Sequence, residues 1–128
     1  MWTKNIKNGE KTEMTVKECY EALEGDYEDV MGRLRNEALV QKFAIKFLAD
    51  KSYENIFKAI QEGNSEEAFR GAHTLKGVCQ NLSFTKLHHS SDKVTELLRN
   101  GNVDVPQNLL DELKADYEQT VNALKELQ

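Results

Sequence analysis

Proline stands at a single position of this 128-residue chain, Pro106, where average usage would place roughly six. Proline is the residue that most firmly ends a helix, because it lacks the backbone N–H and its ring collides with the preceding turn. A chain nearly free of it can run helix after helix, and here apolar residues recur at three- and four-residue spacing for most of the length. The fold expected is all-α. Hydrophobic residues at 39% and charged residues at 30% fit amphipathic helices around one moderate core, and the length leaves no room for a multidomain enzyme.

Cap signals divide the pattern. Residues 1–13 are polar and aperiodic and read as a loose terminus, with Trp2 given no role; residues 14–128 read as one helical domain. A capping box, Thr15 with Glu18, opens a short helix that Gly25 should stop, and Asp26 can cap the next, Tyr27 to Arg35. Val40, Phe43, Ala44, Phe47 and Leu48 share one helical face, whereas Tyr53, Ile56, Phe57 and Ile60 point almost oppositely. A break near Asp50 to Ser52 follows, with Ser52 as its cap. Gly63 ends that helix, and Asn64 with Glu67 starts a long one, Ser65 to Leu82. Leu87, Ser91, Val94 and Leu98 line the next, which stops at Asn100-Gly101, and Pro106 opens a last helix through Leu110, Leu113, Tyr117, Val121 and Leu124. Short connections favour antiparallel neighbours. The architecture expected is an antiparallel up-down four-helix bundle with short N-terminal helices packed on it.

The net charge of −5 argues against binding nucleic acid or an anionic membrane surface, both of which need a basic face. No stretch approaches the roughly 18 apolar residues of a membrane span, and no apolar run follows Lys4 and Lys7 as a signal peptide would require. Cys19 and Cys79 form no metal or redox motif, so a cytoplasmic protein is expected. The charge is uneven: residues 66–100 hold five Lys/Arg and four Asp/Glu, the least acidic third of the chain.

His73 lies in that third, and on a helical wheel of Ser65 to Leu82 it faces away from Leu75, Ala68, Cys79 and Leu82. Phe69 and Gln80 fall within about 40° of it on one side and Gly77 on the other, with Arg70 and Lys76 about 60° to either side. Phe69 reads equally as a marginal core residue or as a docking contact. Glycine inside a helix costs about 0.5–1 kcal/mol relative to alanine, and on an outer face no helix packing calls for it. It leaves a bare patch beside the imidazole. Arg70 and Lys76 stand one turn before and one turn after the histidine; two cations so placed favour the neutral, nucleophilic ring and negative charge attached to it.

The run Ala72-His73-Thr74-Leu75-Lys76-Gly77, followed by Asn81-Leu82, resembles the motif of histidine-containing phosphotransfer (HPt) domains of two-component phosphorelays. Phe43 and Phe47 before Asp50, Tyr53, and Leu87 through Arg99 resemble the family's surrounding pattern, so the likeness covers about residues 15–125. The resemblance implies a four-helix bundle whose exposed histidine carries phosphate on Nε2. It makes His73 the phosphoacceptor, Lys76 the cation near the phosphoryl group and Gly77 the steric gap for a receiver domain, with Phe69, Arg70 and Gln80 as partner-binding candidates. His88, Thr95 and Arg99, on the neighbouring helix, are the candidates for a group bonding the imidazole or the phosphoryl. The motif usually continues with glycine after Asn-Leu; here Ser83 takes that place, which bears on the following turn.

The resemblance implies response-regulator receiver domains and a sensor histidine kinase as partners, and a monomeric, stand-alone module. Phosphoryl transfer needs a divalent cation and charge stabilisation. This chain has no glycine-rich nucleotide loop, so no cofactor is expected in it: the cation belongs to the receiver and ATP to the kinase. The function expected is a phosphorelay intermediate without kinase activity, accepting phosphate on His73 and passing it to a receiver. A detached chemotaxis-kinase-type phosphodonor module and a receiver-binding adaptor without phosphotransfer are the alternatives. A carboxylate-bridged metal bundle fails, because the residues three before His73, His88 and His89 are Arg70, Thr85 and Lys86.

Overall fold

The computed structural model describes residues 14–128 and, before them, the backbone of two two-residue strands, β1 (Ile6–Lys7) and β2 (Glu10–Lys11), paired antiparallel. That pairing replaces the loose reading for those four residues; Trp2 lies outside the described residues. Seven α-helices follow: α1 (Val16–Leu23), α2 (Tyr27–Leu34), α3 (Glu37–Lys46), α4 (Ser52–Gln61), α5 (Ser65–Leu82), α6 (Thr85–Leu98) and α7 (Gln107–Leu127), with a 3₁₀ turn at Phe47–Ala49. Among the described residues the fold is all-α apart from these two paired strands.

Local chemistry sets most boundaries. The capping box forms in full, Glu18 N donating to Thr15 Oγ1 at 3.1 Å and Thr15 N to Glu18 Oε1 at 2.9 Å. Asp26 caps α2 through Asp29 N (2.9 Å), and Asn64 caps α5 through Glu67 N (3.1 Å). Gly63, at φ +70°, supplies the left-handed residue that turns the chain out of α4.

Two expectations are corrected. Gly25 does not stop α1: Glu24 takes the left-handed position at φ 58°, and glycine is needed next to it because a Cβ there would lie 2.7 Å from Ser83 O and 2.8 Å from Tyr20 Cδ2. Ser52 is not a cap but the first helical residue of α4, buried, with its N–H donated to Asp50 Oδ1 at 2.9 Å and its hydroxyl bonded to the same oxygen. Lys51 holds the N-cap position without a side-chain bond, and the Asp50 carboxylate satisfies the first helical N–H.

Helices α4, α5, α6 and α7 pack consecutively, α1 lies on α7, and α3 touches α5 and α7. Between α4 and α7 the rings of Tyr53 and Tyr117 stack with centroids 3.7 Å apart. The core is continuous, with Tyr20, Phe84, Ile56, Leu75, Leu87, Leu113 and Leu124 fully buried. Tyr20 crosses it to donate to Leu82 O at 2.7 Å, tying α1 to the end of α5. No helix among the described residues is long and apolar enough to cross a membrane.

Candidate functional site

The inner face of α5 carries Ala68, Gly71, Ala72, Leu75, Cys79 and Leu82, all buried. Gly71 brings α4 very close: a Cβ there would stand 3.1 Å from Ile56 Cγ1 and from Ser52 O. With one face held against α4 and α6, the 3.6-residue period delivers His73 to the opposite side, where it is exposed.

Around the imidazole the sequence candidates separate. Phe69, one turn earlier, lies parallel to the His73 ring, 5° between planes and 5.6 Å between centroids. Arg99, the C-cap of α6, sets its guanidinium over the Phe69 ring, 5.2 Å from the centroid. Phe69 is half-buried and links α6 to the imidazole. Arg70 is exposed and engages Glu67 at 3.1 Å and Glu66 at 3.5 Å on its own helix.

Lys76 leans across to α6, its Nζ 2.7 Å from Asp92 Oδ1, with the lysine side chain 24% and the aspartate 43% exposed. That ammonium holds the Asp92 carboxyl below the ordinary aspartate range. Beside Gly77 there is open space: a Cβ built there meets no atom within 4 Å. One turn on, Gln80 is exposed, and its carbonyl accepts from Arg33 at 3.3 Å.

Of the three candidates on α6, only Arg99 is brought into the cluster. Thr95 is fully buried and gives its hydroxyl to Ser91 O at 2.6 Å, so it does not reach the outer face as a helper of the imidazole. His88 is half-buried, its Nε2 enclosed without a hydrogen-bond partner, and burial holds its pKa below the ordinary histidine value. The neighbouring His89 is exposed.

The end of α5 explains the serine at the motif's usual glycine position. Ser83 adopts φ 58°, a left-handed cap conformation that glycine enters without strain. Its hydroxyl offsets that strain, donating to Asp29 Oδ2 at 2.7 Å and accepting from Arg33 Nη2 at 2.7 Å. Arg33 also covers the last carbonyls of α5, including Asn81 O at 3.0 Å. Against the same end lies a cavity of about 280 Å³ lined by Leu34, Phe43, Lys46, Phe47, Val78, Asn81 and Leu82. Phe43 is 38% exposed.

Sequence reasoning missed Asp92, Arg33 and the cavity. Asp92 was within reach, since it falls one turn after His88 on the same helix. Both cysteines are buried and unpaired, and burial lifts the Cys19 thiol to about 12. Among the described residues no group of three or more His, Cys, Asp or Glu is arranged to hold a metal.

A family model for the Hpt domain matches residues 18–123, from within α1 through most of α7. Nothing among curated proteins or solved structures matches the chain.

Proposed function

The chain belongs to the Hpt domain family, and from that premise we propose that it is a phosphorelay intermediate that takes a phosphoryl group on His73 and hands it to a receiver domain. Hpt domains are phosphocarriers of two-component signalling rather than enzymes, and they work with receiver domains and kinases. The observation that carries the assignment to His73 is an exposed imidazole next to an open helix flank at Gly77. A receiver aspartate must approach the ring within bonding distance, and a side chain at position 77 would stand in its way.

In the transfer, the Nε2 lone pair of the neutral ring attacks the phosphorus of a receiver phosphoaspartate. The bond from phosphorus to the aspartyl oxygen breaks with its electrons, leaving a carboxylate, while the imidazole keeps its Nδ1 proton. The receiver's divalent cation offsets charge on the migrating group. This chain contributes the nucleophile, a ring held parallel to Phe69, and Lys76 one turn away. Gln80 and Arg70 border the approach, and Arg99 reaches it over Phe69. The largely apolar cavity at the end of α5, lined by Val78 and Asn81, supports reading that side as the receiver's seat.

The test is transfer from a labelled phosphoreceiver or kinase of the same organism to the wild type and to His73→Gln. Label that is acid-labile and alkali-stable on the wild type alone is the expected result. Label persisting on the variant would place the phosphate elsewhere, and binding of the receiver without transfer would make the chain an adaptor.

A further inference from the structure

We infer that Asp92 is a positioning residue for the phosphoryl site: it holds Lys76 against α6 while His73 is bare, and this competition sets how far phosphate equilibrium favours the histidine. The inference rests on His73 being the phosphoacceptor.

Lys76 is the cation one turn after His73, yet its Nζ is 2.7 Å from the Asp92 carboxylate of the next helix and its side chain is three-quarters buried along the α5–α6 seam. An ammonium has three donors on a flexible stem, so the same group can turn from Asp92 toward a phosphoryl on His73 without moving either helix. It cannot serve both anions fully. A phosphoryl dianion that recruits Lys76 must draw it off a carboxylate already bound to it.

The other charges bordering Asp92 leave it no equal substitute. Arg99 is engaged by Glu96 at 2.8 Å and lies over Phe69. His88, one turn before Asp92, is kept toward its neutral form by burial, and Glu96 adds a second negative charge. Lys76 is thus the cation that Asp92 holds among the described residues, and Asp92 lowers what that cation offers phosphate.

Removing the charge while keeping the shape, Asp92→Asn, should free Lys76. The equilibrium between phosphoreceiver and phosphohistidine, measured from both directions with purified full-length partners, should move about fivefold toward His73, the size of a solvent-facing ion-pair effect. The shift should shrink as salt is raised. Asp92→Glu should return the equilibrium to within about twofold of wild type. In a Lys76→Ala background the Asp92→Asn change should have almost no effect, because Asp92 acts through the lysine. An Asp92→Asn equilibrium indistinguishable from wild type overturns the inference, and so does an undiminished shift without Lys76, which would make Asp92 a direct repeller of phosphate. Should Asp92→Asn fold poorly, Lys76→Gln gives the converse test: a shift away from His73 is expected, and no shift overturns the role of the lysine. Absence of label on wild-type His73 would sink the assignment of the phosphoacceptor and this inference together; label with an unmoved Asp92→Asn equilibrium sinks only the latter.

Discussion

Two glycines of α5, six residues apart, should respond oppositely to alanine, and the contrast separates a residue kept for packing from one kept for access. At Gly77 a Cβ meets nothing within 4 Å, so Gly77→Ala should simply recover helix propensity, about 0.5–1 kcal/mol. For a chain of this length that is roughly 2–4 °C in Tm. At Gly71 the same gain is opposed, because the Cβ would stand 3.1 Å from Ser52 O, 3.1 Å from Ile56 Cγ1 and 3.3 Å from Ile56 N. Two of those atoms are α4 backbone and cannot rotate away, so α4 and α5 must part by a few tenths of an ångström. Overpacking of this kind costs about 1–3 kcal/mol, and the net should be a loss near 1 kcal/mol. Urea unfolding followed by circular dichroism measures both variants. Gly77→Arg completes the set: stability should stay within about 1 kcal/mol of wild type while phosphotransfer collapses. A destabilised Gly77→Ala would show a packing role for that glycine, and a Gly77→Arg protein transferring at the wild-type rate would refute the access argument.

Ser83→Ala keeps the left-handed strain and loses the bonds to Asp29 and Arg33, so a loss of about 1–2 kcal/mol in urea unfolding is expected. Ser83→Gly should lose less, since relief of strain offsets the missing hydroxyl. Burial pushes the Asp116 carboxyl above the ordinary aspartate value of 3.8. The folded chain therefore binds that proton more tightly than the unfolded chain, and the group subtracts stability as pH rises from 3.8 through its higher folded pKa. Asp116→Asn should gain stability over the parent at pH 7 and show no such gain below pH 3.8; an equal gain at both values would contradict the burial argument. Arg70, Lys76 and Arg99 each hold a carboxylate, so inorganic phosphate at about a hundred micromolar should leave the His73 ring resonances in place. Saturable shifts there would reveal a preformed anion site.

The helices were legible because period and cap chemistry are local. Thr15, Asp26, Asn64 and the wheel that turned His73 outward depend on residues within one or two turns. What escaped depends on distant chain. Gly25 looks like a terminator from its neighbours, yet its constraint is Ser83 O, far along the sequence. Thr95 was read as a flank residue because it is polar. Ser90, Ser91 and Thr95 are all buried, and each hydroxyl bonds a carbonyl of its own helix. A hydroxyl satisfied that way behaves as a small core residue, and a face of Leu87, Ser91, Val94 and Leu98 that leaves out Ser90 and Thr95 is drawn too narrowly. Asp92 was missed for a different reason. The candidates on α6 are groups that could bond the imidazole, whereas the residue that matters to Lys76 is its counter-ion.

That counter-ion changes what the charge balance of the middle third means. Counted from sequence, residues 66–100 are slightly positive, as an anion-binding face would be. In space, Arg70 faces Glu66 and Glu67, Lys76 faces Asp92, and Arg99 faces Glu96. Three cations meet four carboxylates, so the ground around His73 is not a store of free positive charge. Such an arrangement suits a carrier better than an anion trap. A site with unpaired cations would stabilise phosphohistidine strongly and release it slowly, since whatever deepens the bound state must be undone at the next transfer. With each cation held by a carboxylate, phosphate on His73 gains only the difference between two partners. In the proposed relay, the phosphoryl group then stays close in free energy to its donor and to its acceptor.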